Sequence, residues 1–323
     1  MAMPRAIIIL TTIVTTLLSA TAVVAQFGDS PAATTELTGP THSSKWKVGV
    51  VVDAQGGPCV GLVGTLPIPA NWPEQKVDVV EEEISPDVKK VRYRTLEKSV
   101  KQMVIEIPRL ASGDTAKALV TLDIQRTLVP APTNTDDLRI PSEIPSEVRP
   151  YLNASPYIEV RHPMIVKLAK QLRKPELAGW KQVEAIYDHV RDHVRYENGS
   201  LKGALAALRD GTGDCEELTS LFIALCRANK IPARTVWVPD HCYPEFYLEN
   251  ANGEGQWYPC QAAGQREFGT ISEKRPILQK GDNFKVPDQK GAQRYVAEHL
   301  TGGAARGGGK PRVEFIRQLL TDG

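Results

Sequence analysis

Gly213-Asp-Cys-Glu-Glu217 runs without a break into Leu218-Thr-Ser-Leu-Phe-Ile-Ala-Leu225, and the fold is read outward from this stretch. Asp214 is a good helix N-cap, and Glu217, three residues later, completes a capping box. Leu218, Leu221, Phe222 and Leu225 follow the i, i+3, i+4, i+7 spacing of a buried helix face. Cys215 is therefore expected at the first helical position. There, free backbone N–H groups and the helix dipole favour a thiolate, which suits a nucleophile. Asp214, Glu216 and Glu217 put opposing negative charge nearby, so a histidine has to tip the balance.

The candidate histidine opens His241-Cys-Tyr-Pro-Glu-Phe-Tyr-Leu248, an alternating, aromatic-rich stretch that reads as a strand. Asn250-Ala-Asn-Gly253 is a turn signal, and Gln256-Trp-Tyr-Pro-Cys-Gln261 reads as the next strand. A cysteine at a helix start and a histidine on a facing strand are the parts of a thiol dyad.

Other constellations carry less. His189 and His193 are four apart on one predicted helix but lack the glutamate that a zinc-protease helix places after its first histidine; with Arg191 and Asp192 between them they read as a solvated face. Cys226 lies in an apolar run and reads as core. Cys-x-x-Cys spacing and calcium-loop spacing are both absent, so no metal site is expected.

Gly213-Asp-Cys215, Leu221-Phe-Ile-Ala-Leu-Cys-Arg-Ala228, Ile231-Pro-Ala-Arg234, His241 through Leu248 and Trp257-Tyr-Pro259 occur in this order. Together they resemble the transglutaminase-like superfamily over Tyr151 to Gly264. The resemblance implies a papain-like α+β core with a cysteine on a helix start, a histidine on one strand and usually an aspartate on the next. Carried over, Cys215 takes the nucleophile position and His241 the general-base position. Gln261 stands where the family usually has the aspartate. Its amide oxygen can orient an imidazole but brings no charge to stabilise an imidazolium. The implied chemistry acts on peptide or glutamine-type amide bonds through an acyl-enzyme, released to water or to an amine, with no cofactor. The implied partner is a protein or peptide substrate. The alternative is a catalytically impaired envelope protein that uses the same fold for binding.

The 323-residue chain has a net charge of +1, and its charges are mixed rather than gathered into a basic stripe, so no nucleic-acid partner is implied. Residues 1–25 read as a signal peptide: Arg5, then an apolar stretch to Ala25 that ends in small residues. An uncleaved membrane anchor is the other reading of this stretch; no second stretch is long and apolar enough to span. The folded part is expected to be exported, to a periplasm or the cell exterior. All five cysteines lie beyond the signal, and an odd number in an oxidising compartment leaves at least one thiol outside any pairing within the chain.

Residues 26–44 read as a linker, His42 within it. Six short strands separated by turn signals at 45–130 predict a β-sandwich-like domain. A Pro-rich linker at 131–150 precedes the α+β core at 151–270, in which helices are followed by an antiparallel sheet. Residues 271–323 read as a tail with a last strand at 311–317. If His241 and Gln261 are directly opposed, the antiparallel count also opposes Cys242 to Cys260 and Glu245 to Trp257, and centres the turn at Ala251. On that register the two cysteines form either a cross-strand disulfide or a pair of buried thiols.

Overall fold

Period-two burial builds the first half of the chain. The computed structural model describes residues 39–287, 289–306 and 308–321. Strands β1 (Thr41–Asp53), β2 (Cys59–Ile68), β3 (Gln75–Ile84), β4 (Lys90–Leu96), β5 (Val100–Leu110) and β6 (Thr115–Thr127) come first. In β1, Trp46, Val48, Val50 and Val52 are buried, as alternation requires. They face Leu62 and Leu66 of β2 and Ile105 and Ile107 of β5 in one apolar core between two sheets.

The second half is mixed. It comprises α1 (Pro163–Leu172), α2 (Gly179–His193), β7 (Arg195–Tyr196), α3 (Ala204–Asp210), β8 (Thr212–Gly213) and α4 (Cys215–Ala228). Then come β9 (Ala233–Val238), β10 (His241–Glu249), β11 (Gly255–Gln261), β12 (Glu267–Phe268) and β13 (Gln279–Lys280). The last strands are β14 (Phe284–Lys285), β15 (Ala292–Gln293), β16 (His299–Ala304) and β17 (Arg312–Leu320). The fold is α+β, with a papain-like arrangement of helices against an antiparallel sheet. The helical layer packs Tyr187, Leu221, Phe222 and Leu225 against Phe246 and Tyr258 of the sheet. Trp180 meets Phe246, Tyr258 and Phe268 edge-on, with ring centroids 4.8–5.7 Å apart.

The two halves share a sheet. One sheet has the order β17-β1-β6-β3; the other runs β12-β11-β10-β9-β13-β5-β2-β16, with β4 also on β5. Gln279 of β13 pairs with both Val100 of β5 and Trp237 of β9, so this short strand joins the sandwich to the core. Residues 271–323, expected as a tail, thus supply one strand to the middle of the large sheet and two to the sandwich. β17 extends the predicted last strand and pairs with β1 along Lys45 to Asp53. The expected linker at 26–44 also needs correction: Thr41 to Ser44 already pair with β6, and His42 lies opposite Arg126. These polar residues are held by backbone hydrogen bonds, to which side-chain periodicity is blind. The predicted signal peptide lies outside the described residues. Among the described residues no helix is long and apolar enough to cross a membrane.

The sheet face of β10 that points away from the helices meets the sandwich through buried polar groups. Arg126 of β6 donates to the Tyr243 hydroxyl at 3.0 Å. Lys280 of β13 bridges Glu245 of β10, at 2.7 Å, and Glu74 just ahead of β3. Arg234 of β9 pairs with Glu245 at 2.9 Å. Tyr243 and Glu245 alternate with the helix-facing residues of the strand that begins with His241, so these contacts fix the strand carrying the histidine.

Candidate active site

The helix that presents Cys215 is held at both ends. At its start the Asp214 carboxylate accepts from the Glu216 N–H at 2.8 Å, and Glu217 accepts from the Asp214 N–H at 3.2 Å. Glu217 also accepts from the Lys202 N–H at 2.7 Å and the Gly203 N–H at 3.3 Å, tying the loop before α3 to the same turn. Burial works against its charge, but these N–H donors hold its carboxyl below the ordinary range. Gly213 is required by close approach: a Cβ there would lie 2.3 Å from the Glu217 Cβ. At the other end, buried Arg227 pairs with Asp282 at 2.7 Å and donates to the Ala233 and Asn153 carbonyls.

Cys215 is half-buried, and all five cysteines are free thiols. A hydrogen bond from the Cys242 thiol is the strongest influence on Cys215 and pulls it down to about 4. Burial opposes this shift. The hydrogen bond and positive charge of His241, and the Cys242 N–H, support it. Burial disfavours the charge of His241, yet the bond to Cys215, the thiolate charge and the bond to Gln261 together raise its pKa. Burial pushes the Cys242 thiol well up, so Cys242 is the donor of the sulfur pair. His241 and Cys215 therefore favour the imidazolium–thiolate form.

His241 Nε2 lies 2.9 Å from Gln261 Oε1. A carbonyl oxygen only accepts, so Nε2 carries the proton and Nδ1 is left for the sulfur. The backbone of Gln261 is itself gripped. Its carbonyl accepts from the Tyr187 hydroxyl at 2.8 Å and from Arg191 at 3.0 Å. Arg191 also reaches the Ala262 carbonyl at 3.1 Å and that of Gly264 at 2.7 Å. All three residues singled out in the sequence are thus brought together. The strand register is not as expected: Glu245 stands opposite Pro259 and Tyr247 opposite Trp257. The hairpin loop runs from Asn250 to Glu254, closed by an Asn250–Glu254 backbone bond of 3.0 Å. This slip of two residues takes Cys242 and Cys260 out of direct opposition, and both are free, buried thiols, without the disulfide. Cys242 lines a small buried void with Glu216, Thr219 and Ser220 of α4. Cys260 lies near Cys226 in the helical core.

Two clefts meet at His241. One, of ≈ 470 Å³, is lined by Cys215 and His241 with Trp237, Glu216, Arg294 and Tyr295. The other, of ≈ 380 Å³, lies beyond His241 and includes Gln261, Gly264 and Glu267. Tyr196 borders both and is 52% exposed. Glu216 pairs with Arg294, whose guanidinium lies 5.2 Å from the Trp237 ring centroid. Burial is the main cause that pushes Glu216 up to about 7 and Asp214 up to about 6, with the nearby thiolate adding to both. Both carboxyls thus resist adding charge beside the nucleophile, which moderates the repulsion expected from the sequence. Among the described residues no group of His, Cys, Asp and Glu is placed to hold a metal ion. His189 and His193 stack on the surface of α2 with centroids 5.6 Å apart.

Comparisons with known proteins bear on the fold that carries these residues. Residues 166–262 match the family model described as the transglutaminase-like superfamily. This segment is similar to the transglutaminase-like domain. A solved structure from Cytophaga hutchinsonii, described as "a Putative Cysteine Protease", is 17% identical, with a TM-score of 0.53 over 88% of this chain and 94% of that one. It has the same fold across both halves of the chain. A second, from Parabacteroides distasonis and described as "a putative protease", is 12% identical, with a TM-score of 0.28 over 71% of this chain and 47% of that one. No curated protein matches the sequence.

Around Cys215 and His241, several contributors were not found by sequence reasoning. Arg191 read as part of a solvated face; only the tertiary fold brings it and Tyr187 of α2 against the end of β11. Cys242 was read through its expected partner Cys260. Tyr196 lies in a two-residue parallel pairing with Gly213, too short for periodicity to reveal.

Proposed function

We propose that the chain is an exported thiol enzyme that acts on peptide or glutamine-type amide bonds through Cys215 and His241. The observation that carries this reading is the meeting of three groups at one point: a thiol drawn down to about 4, an imidazole raised beside it, and the Gln261 amide oxygen at 2.9 Å from that imidazole. The Cys215 thiolate attacks the amide carbonyl carbon, and the carbonyl π electrons move onto oxygen. The Cys215 N–H, at the start of α4, is placed to stabilise that oxyanion. His241 gives its proton to the leaving nitrogen, and the C–N bond breaks to leave a thioester on Cys215. Neutral His241 then takes a proton from water or an incoming amine as it attacks, and the thioester collapses to release the product. The two clefts, which share His241 and Tyr196, give the acyl part and the leaving or incoming group separate places. Gln261 orients the ring without lending it charge. The apolar segment at 1–25 supports export.

A second reading is a binding protein with impaired chemistry, which the glutamine in the usual aspartate position favours. Incubation with glutamine-containing peptides, with and without a fluorescent primary amine, separates the two. A thioester adduct on Cys215 by mass spectrometry, with ammonia release or amine incorporation, supports the enzyme. Peptide binding with no adduct and no turnover across a broad peptide pool supports the alternative. Sequencing the N-terminus of protein recovered from outside the cytoplasm tests export.

A further inference from the structure

The cleft beside Cys215 is walled in part by residues beyond the family-matched segment. Trp237 of β9 lies within residues 166–262, but Leu278, Arg294, Tyr295 and Arg317, which line the same cleft, come from residues 271–323. Trp237 is buried, its indole N–H donates to the Gly281 carbonyl at 2.8 Å, and its ring meets that of Tyr295 at 5.1 Å. Arg294 lies over this fixed tryptophan, 5.2 Å from the ring centroid, and 5.9 Å from that of Tyr157. A guanidinium resting on aromatic rings is ordered before any ligand arrives, so less freedom is lost when it binds one.

We propose that Arg294 anchors a substrate subsite in this cleft and takes a carboxylate that the amide substrate carries close to the bond attacked by Cys215. This rests on the reading of Cys215 as the nucleophile and deepens it by naming a substrate class: peptides with an acidic side chain, or a free terminal carboxylate, beside the reacting amide. The guanidinium fork matches a carboxylate through two parallel hydrogen bonds. The Arg294 side chain is 27% exposed, open to the cleft yet partly withdrawn from water, where such a pair is stronger than at a free surface. Its partner within the chain is Glu216. A guanidinium has five N–H donors, more than one carboxylate takes. Glu216 is also easily displaced. Burial pushes its carboxyl up to about 7 against the pull of Arg294, and the charges of Cys215, Asp214 and Glu217 add to that. A substrate carboxylate farther from the thiolate escapes this repulsion. Arg317, the other arginine of the cleft, is committed to Glu298 and the Pro67 carbonyl. Asp214 and Asp240 adjoin Cys215 and His241 in the chain and line the cleft there, so an anion is repelled from that end and favoured at Arg294.

The test measures kcat/KM on the full chain, in wild type, Arg294→Met and Arg294→Gln, with matched sets of glutamine-containing peptides. Each set carries Glu, Gln or Lys at the positions flanking the reactive glutamine, with the C-terminus free or amidated. Wild type should favour the carboxylate-bearing members about ten- to a hundredfold, as a hydrogen bond to a charged group is worth, and both variants should level the set. The Glu-against-Gln arm identifies a side-chain carboxylate and the free-against-amidated arm a terminal one. Melting curves check folding, and either variant suffices if the other is unfolded. Equal rates across the set in wild type, a preference for Lys, or a carboxylate preference that survives in the folded variants overturns the proposal. An equal drop for every peptide also overturns it, because the role of Arg294 would then be structural. Binding of the same peptides to Cys215→Ala, with and without Arg294→Met, separates this proposal from the enzyme reading. Carboxylate-dependent binding that needs Arg294, with no turnover in wild type, keeps the subsite and removes the thiol chemistry. Cys215 adducts formed equally with all members keep the chemistry and remove the subsite. Neither binding nor turnover with any member overturns both.

Discussion

His241 Nε2 and Gln261 Oε1 are 2.9 Å apart, although their strands are paired two residues out of the register that would set them face to face. The contact is diagonal. The ladder between β10 and β11 ends at Glu245–Pro259. Beyond it, Gln261 pairs with Glu267 of β12, while Tyr187 and Arg191 hold its carbonyl. The long glutamine side chain spans the remaining offset.

Cys215→Ala and His241→Ala should each abolish amide turnover, and the double variant should be no worse than either single one. Groups that carry one step are not additive. Steady-state kinetics on a peptide found to form the Cys215 adduct is the measurement. Wild-type turnover in Cys215→Ala would remove the thiol mechanism.

The titration of His241 should follow Cys215. In the wild type the thiolate raises the imidazole pKa while burial lowers it. Cys215→Ala removes the raising cause and leaves the burial, so His241 should titrate lower in the variant, as NMR of the ring nitrogens can read. The sign for stability follows. A raised folded pKa gives His241 a stabilising contribution that is full below the unfolded value of 6.5 and is lost as pH rises through the folded one. An identical His241 titration in both proteins would show that the ion pair does not form.

Gln261→Ala should lower kcat by roughly ten- to a hundredfold, the worth of about 1.5–3 kcal/mol for a hydrogen bond to a charged group. Gln261→Asp should keep or raise activity, since an anion there stabilises the imidazolium. Kinetics with a melting curve separates this outcome from simple loss of packing. A folded Gln261→Asp protein with sharply lower kcat would count against the orienting role.

Arg227→Met leaves Asp282 buried without its partner. Breaking such a pair costs about 3–5 kcal/mol, and chemical denaturation should show a loss of that size. Arg227 is 1% exposed at its side chain and makes no contact with the dyad. Activity per folded molecule should therefore change little.

Gly213→Ala drives a Cβ against Glu217, at 2.3 Å from its Cβ. The capping box must open or the turn must shift, at about 1–3 kcal/mol by analogy with overpacking. Both thermal stability and Cys215 alkylation at low pH should fall. Unchanged values for both would mean that the turn has room to relax.

Much of this protein is written locally. Asp214 and Glu217 specify where α4 begins, and the spacing of Leu218, Leu221, Phe222 and Leu225 specifies its buried face, so Cys215 at the helix start was legible from a dozen residues. The strand cores around Val48, Ile105 and Val120 were legible for the same reason: alternation records which side faces the sandwich core. What was not legible has no local record. The short strand Gln279–Lys280 is too brief to show a period, yet it joins two sheets, because Gln279 has strand partners on both sides. The expected register leaves a three-residue loop centred at Ala251 between Glu249 and Gly253, whereas the loop runs from Asn250 to Glu254 between Glu249 and Gly255, and those two extra residues move the register by two.

The sequence by itself determined the elements, the α+β order and the identity of the groups at the site, since capping, periodicity and turn chemistry act between residues a few positions apart. The tertiary structure alone decided that Cys242 does not stand opposite Cys260, that Arg191 grips the segment holding Gln261, and that β13, β16 and β17 complete both sheets. Those outcomes depend on hydrogen bonds and burial between segments far apart in the chain. Such contacts exist only once the backbone has closed, and no local pattern of side chains encodes them.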